Sequence, residues 1–135
     1  MKLGFIGCGN MASAIIGGIL EKEIAGREDI TASTKSEESA AKIKEKLGIA
    51  CGTDNRKTAE TSDIVFLAVK PQFLEEAIAE IKDVLCSSQL IISIAAGKTM
   101  DWLEERLGSD KKIIRTMPNT PALVGEGITG VCKND

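Results

Sequence analysis

The first twelve residues constrain this chain more than any other stretch. Leu3 to Ile6 is a short apolar run that stops at Gly7, and Gly7, Gly9 and Ala12 then take the first, third and sixth positions of G-x-G-x-x-G/A. Met11, Ala12, Ile15, Ile16, Ile19 and Leu20 follow at helical spacing. A strand must therefore turn sharply into a helix. Each small residue has its own reason to be there. Gly7 permits the turn, Gly9 has no Cβ to hold a diphosphate away from the backbone, and Ala12 lets the helix pack close on the strand. The free N–H groups and positive dipole end of that helix point at the same place. Alone, the glycine pattern also fits an ordinary tight turn. With a strand before it and a helix after it, the pattern predicts a seat for the diphosphate of a dinucleotide.

The rest of the chain alternates between strand and helix. Asp29 to Ser33 reads as a second strand. Thr34 with Glu37 forms a candidate capping box for the next helix, and Ser36 is the alternative as a bare N-cap. Ala40, Ile43 and Leu47 give that helix its buried face and Gly48 ends it. Ile49 to Cys51 is a minimal third strand, and Asn55 to Thr61 one or two helical turns. Ile64 to Val69 is apolar without alternation, which predicts a central strand covered on both faces. Pro71 opens a helix carried by Leu74, Ala77, Ile78, Ile81 and Leu85. Leu90 to Ile94 is a fifth strand, and Thr99 caps a short helix through Trp102, Leu103 and Leu107. Lys112 to Met117 is a sixth strand broken by Pro118-Asn-Thr-Pro121, and Ile128 to Cys132 adds one more. Alternation implies right-handed crossovers, so the prediction is an α/β fold: a Rossmann-type, doubly wound, mainly parallel sheet in a single domain spanning residues 1–135. Its ligand crevice lies at the carboxyl ends of the strands, where Gly7 to Asn10, Ala68 to Pro71 and Ser93 to Gly97 converge.

A net charge of −3 gives no general attraction to nucleic acid or to an anionic membrane, so any phosphate must be held by local geometry. No run reaches the roughly 18 to 20 apolar residues of a membrane span, and Gly7-Cys8-Gly9-Asn10 interrupts any secretory signal. Cys8, Cys51, Cys86 and Cys132 are scattered and histidine is absent, which excludes the usual zinc arrangements; no metal is expected. The thiols read as reduced small hydrophobes of a cytoplasmic protein.

The end of the second strand bears on which dinucleotide is bound. NAD-selective sites place a carboxylate there, about 20 residues past the glycines, on the ribose hydroxyls. Asp29 has that count but lies at the opposite end of the strand, more than about 10 Å away at the rise of an extended chain. The correct end carries Ser33, Thr34, Lys35 and Ser36, which suit a 2′-phosphate. This predicts NADP(H) over NAD(H). The alternative is that Thr34 and Ser36 only cap a helix and Lys35 is solvated.

Four motifs carry a resemblance. Phe5-Ile-Gly-Cys-Gly-Asn-Met-Ala12, Phe66-Leu-Ala-Val-Lys-Pro71, Ile92-Ser-Ile-Ala-Ala-Gly97 and Arg115-Thr-Met-Pro-Asn-Thr-Pro121, in that order, resemble the amino-terminal half of pyrroline-5-carboxylate reductase over essentially the whole chain. That family reduces a cyclic imine to proline with NAD(P)H. The resemblance implies that Ile6, Gly7, Gly9, Asn10 and Met11 hold the pyrophosphate. Ser33, Thr34 and Lys35 would take the adenosine ribose side, and Asn55 the adenosine. It further implies that Ala68, Val69, Lys70 and Pro71, with Ala95, Ala96 and Gly97, lie along the nicotinamide end. Met117, Pro118 and Asn119 would border the imino-acid substrate. Each has a plainer alternative: Asn55 as a helix N-cap, Lys70 as a solvated residue before proline, Pro118 and Pro121 as turn formers.

Family members continue into a second, helical domain that makes a homo-oligomer and supplies much of the substrate site, and this chain stops at Asp135, where that domain is expected. Imine reduction needs a hydride donor, a proton source and a group to orient the carboxylate. With no His and no Tyr, no catalytic residue is assigned, and the expectation is a cofactor domain inactive alone. Two other readings stay open: a stand-alone NADP-binding module, and a dehydrogenase domain of β-hydroxyacid type. A truncated domain would also expose apolar surface around Val124, Ile128 and Val131 and self-associate weakly.

Overall fold

The structure, a computed structural model, describes residues 1–95, 97–117 and 130–133, with the side chains of 1–95 and 97–116. Strand β1 (Leu3–Ile6) feeds helix α1 (Asn10–Glu21), followed by β2 (Ile30–Ser33), α2 (Glu37–Leu47), β3 (Ala50–Gly52) and α3 (Asn55–Glu60). The second half runs β4 (Ile64–Leu67), α4 (Pro71–Ile81), β5 (Leu90–Ser93), α5 (Met100–Leu107), β6 (Lys112–Met117) and β7 (Gly130–Lys133). These strands form one sheet in the order β3-β2-β1-β4-β5-β6-β7. The first six are parallel, with Ile6, Leu67 and Ser93 level across β1, β4 and β5. Strand β7 is the exception, running antiparallel to β6 with Val131 opposite Thr116. Strand order reverses between β1 and β4, so the crevice predicted from the sequence opens there.

Two apolar layers sandwich the sheet. Leu3, Phe5, Ile30, Ala32 and Cys51 face α1 and α2, where they meet Ala12, Ile16, Ala40 and Ile43. Ile6, Val65, Leu67, Ile91 and Ile113 face the other way, against α4 and α5 through Leu74, Ile78, Ile81, Leu103 and Leu107. Burial along β4 and β5 therefore alternates, which corrects the expectation of equal cover on both faces. Right-handed crossovers from β4 and β5 put α4 and α5 on one face, while α1 and α2 lie over the β1–β3 half of the other. Ile64 and Phe66 are half-buried against that second layer, and Leu90 and Ile92 are half-buried outside both clusters.

Local chemistry sets the helix starts. Ser36 Oγ accepts from the N–H of Ser39 at 3.2 Å, Asp54 from Lys57 at 3.1 Å and Thr99 from Trp102 at 3.1 Å. The Thr34–Glu37 capping box does not form. Thr34 donates to the Ser36 carbonyl, and Glu37 accepts from Thr53 on the neighbouring turn. The cysteines also divide: Cys51 is buried, but Cys86 is exposed and hydrogen-bonded to Ser88 at 3.1 Å, so it is no core hydrophobe. It follows the end of α4, where the chain crosses the surface to reach β5. Val124 and Ile128 lie outside the described residues, and of Val131 only the backbone is described.

Candidate dinucleotide site

Gly7 and Gly9 meet different constraints. Gly7 has φ +90°, and a Cβ on it would sit 2.8 Å from Val69 Cγ1 and 2.9 Å from the Val69 nitrogen. Its own N–H is spent on the Ser33 carbonyl at 2.9 Å, so that amide serves the sheet. A Cβ on Gly9 would meet nothing within 4 Å, so protein does not fill the bend there. Ala12 is 1% exposed and brings α1 down onto β1. No side chain caps α1 and its first turn holds no acid, so Asn10, Met11 and Ala12 present amides without intrahelical acceptors. Burial raises the Cys8 thiol, partly offset by its contact with Ser13, so this side chain adds no negative charge. Bare, uncapped and neutral, the bend fits a diphosphate.

Beyond it lies a cleft of about 360 Å³ that unites Gly7, Ser33, Thr34, Lys35, Asn55 and Val69 from the sequence-predicted set. Ser33 is fully buried, and its hydroxyl donates to Asn55 Oδ1 at 2.6 Å. Asn55 is the first residue of α3 and not its cap, which is Asp54; its Nδ2 donates to Glu80 at 3.0 Å. Lys35 is neither fully solvated nor paired with a carboxylate: its ammonium rests 2.9 Å from the centre of the Phe73 ring. Asp29 is at the far end of the sheet, ion-paired with Lys2 at 2.9 Å.

The opposite wall of the cleft was missed from sequence. It consists of Phe73, Glu76, Ala77 and Glu80 of α4. Their spacing of three, four and seven residues puts them on one helical face, which the sequence did show. That this face meets the end of β2 did not follow from any local pattern. The end of β2 itself carries no carboxylate, as read from the sequence, but α4 brings Glu76 and Glu80 to the facing wall.

At the carboxyl ends of β1, β4 and β5, the Ala68 N–H donates to the Ile6 carbonyl at 2.8 Å and that of Ile94 to Leu67 at 3.1 Å, so three strand ends stand level. Ala68 and Val69 are half-buried, Lys70 is exposed, and Pro71 opens α4, which also has no side-chain cap. Ala95 is buried, and Gly97 has φ +78° with open space around it. Met117 ends β6 and is described by its backbone; Ala96, Pro118 and Asn119 lie outside the described residues. Among the described residues no cluster of His, Cys, Asp and Glu could hold a metal ion, and no helix is long and apolar enough to cross a membrane.

A family model described as NADP oxidoreductase coenzyme F420-dependent matches residues 2–97. The pyrroline-5-carboxylate reductase of Escherichia coli K12 is 44% identical over 133 residues, which is 98% of this chain and 49% of that protein. A pyrroline-5-carboxylate reductase structure from Coxiella burnetii superposes with a TM-score of 0.93 at 38% identity, covering 99% of this chain and 50% of its own. The pyrroline carboxylate reductase of Plasmodium falciparum, solved with NADP bound, gives a TM-score of 0.88 at 38% identity, covering 100% and 48%. The chain thus spans about half the length of the relatives it matches.

Proposed function

We infer a function for a chain that belongs to the NADP oxidoreductase coenzyme F420-dependent family: it is the cofactor-binding half of a reductase that converts 1-pyrroline-5-carboxylate to proline. The observation that carries this reading is the open bend at Gly9, set at the reversal of strand order and followed by an uncapped helix. The amides of Gly9, Asn10 and Met11 would hold the diphosphate, with Ile6 and Gly7 fixing the bend. Thr34, Lys35 and Asn55 would take the adenosine side, and Ser33 would hold Asn55 in place. Ala68 to Pro71 and Ala95 to Gly97 would flank the nicotinamide, with Met117 to Asn119 at the substrate. The bound nicotinamide nucleotide supplies a hydride to the C=N carbon of the imine. Lys70 and Arg115 have no clear claim on proton transfer, so in this reading the other half of the relatives' length supplies the proton donor, together with the carboxylate-binding group and the homo-oligomer contact. The free thiols of Cys8, Cys51 and Cys86 suit the cytoplasm.

NADP(H) is the favoured cofactor because Lys35 is the one cation lining the cleft among the described residues. Calorimetry with NADPH and NADH on the wild type and on Lys35→Ala tests this. Loss of one charge-assisted contact should weaken NADPH by about tenfold and leave NADH within about twofold. Unchanged NADPH affinity would remove Lys35 from the site, and absence of binding by either cofactor would remove the reading. A turnover assay on pyrroline-5-carboxylate separates the remaining possibilities: binding without turnover fits a half-enzyme, and turnover by this chain alone contradicts it.

A further inference from the structure

The hydroxyls at the end of β2 are already committed. Ser33 donates to Asn55, Thr34 to the Ser36 carbonyl and Ser36 to Ser39 Oγ. Each hydroxyl has one proton to give. The positive charge available to a 2′-phosphate in this cleft therefore comes from Lys35, while the facing wall brings two carboxylates, Glu76 and Glu80. Glu80 is the fixed one of the pair. Asn55 Nδ2 holds its Oε2 at 3.0 Å, and Asn55 is itself held by buried Ser33. The nearby guanidinium does not cancel that charge: Arg56 forks onto Asp83 at 2.7 and 3.1 Å and reaches only the backbone carbonyl of Glu80.

We propose that Glu80 is a specificity-determining residue: its tethered carboxylate opposes the 2′-phosphate and holds the NADP-over-NAD preference below what Lys35 alone would impose. The proposal rests on the cofactor reading above. A 2′-phosphate carries close to two negative charges, so it feels a fixed carboxylate across the cleft far more than a ribose hydroxyl does. The same carboxylate can accept from a ribose hydroxyl, which favours the cofactor lacking the phosphate. Both effects move discrimination in one direction.

The test is calorimetric titration of NADP+ and NAD+ into the full chain as wild type, Glu80→Gln and Glu80→Ala. Glutamine keeps an oxygen for the Asn55 bond and removes the charge. The ratio of the NAD+ to the NADP+ dissociation constant should rise about three- to tenfold in Glu80→Gln at low salt, and by less at about 0.5 M salt. Glu80→Ala should raise the same ratio while weakening both cofactors, because Asn55 loses its tether. A ratio within about twofold of wild type in Glu80→Gln, or an equal change for both cofactors, would overturn the proposal and reduce Glu80 to a strut for Asn55. A wild type that binds neither cofactor would instead overturn the cofactor reading, and this inference with it.

Discussion

Gly7 and Gly9 are separated by one residue and answer to different demands. At Gly7 the backbone itself is the constraint, through a positive φ and the close approach of Val69. Gly7→Ala should therefore cost about 1–3 kcal/mol of stability, read as a lower urea midpoint. At Gly9 the backbone has an ordinary extended conformation, φ −88° and ψ −160°, with open space where a side chain would go. Gly9→Val should leave the urea midpoint almost unmoved and abolish NADPH binding. If Gly9→Val binds normally, the bend is a turn and nothing more. The motif named both glycines, but only the structure separates the one the fold needs from the one with open space beside it.

At the scale of elements, the strands and helices follow from periodicity and caps, and their ends from the nearest competing hydrogen bonds. Ser36, Asp54 and Thr99 each start a helix, whereas the two helices that begin at the crevice, α1 and α4, start without a side-chain cap. A buried side chain ties the connections together at the other end of the sheet. Gln89, 5% exposed, donates to the carbonyls of Ala59 at 2.8 Å and Ser62 at 2.6 Å and accepts from the Cys86 N–H at 2.8 Å. It links the end of α3 to the turn before β5. Gln89→Leu would fill the space but leave these backbone groups unpaired, at a cost of about 2–4 kcal/mol by urea denaturation. A loss below about 0.5 kcal/mol would mean that water takes over its role. Nothing in the sequence singled out Gln89, since the two carbonyls it donates to lie 27 and 30 residues away.

For the molecule as a whole, charge contributes at the surface and apolar burial in the middle. The hydrogen bond from Lys2 holds Asp29 below the usual carboxylate range, and Arg56 does the same for Asp83 and Lys111 for Asp110. Carboxyls with folded values below their unfolded ones stabilise above the unfolded value, near pH 4, and lose that contribution as pH falls through the folded values. The urea midpoint should therefore drop between about pH 5 and pH 2. Because these pairs are solvent-facing, the drop should shrink in about 0.5 M NaCl. A drop that salt leaves untouched would assign acid sensitivity to buried groups instead.

By itself the sequence determined the alternation of elements, the parallel sheet, the glycine bend and the carboxylate-free end of β2. These are short-range properties, written in apolar period, cap residues and the sterics of single glycines. Tertiary structure decided what stands across the cleft. Ser33, Asn55 and Glu80 are joined in one hydrogen-bonded series over 22 and 25 residues of separation, and Phe73 comes under Lys35 from a helix that begins after β4. Such meetings depend on the order of strands and on which face a crossover helix covers. No local pattern records either, because both are settled by burying two layers of apolar side chains at once.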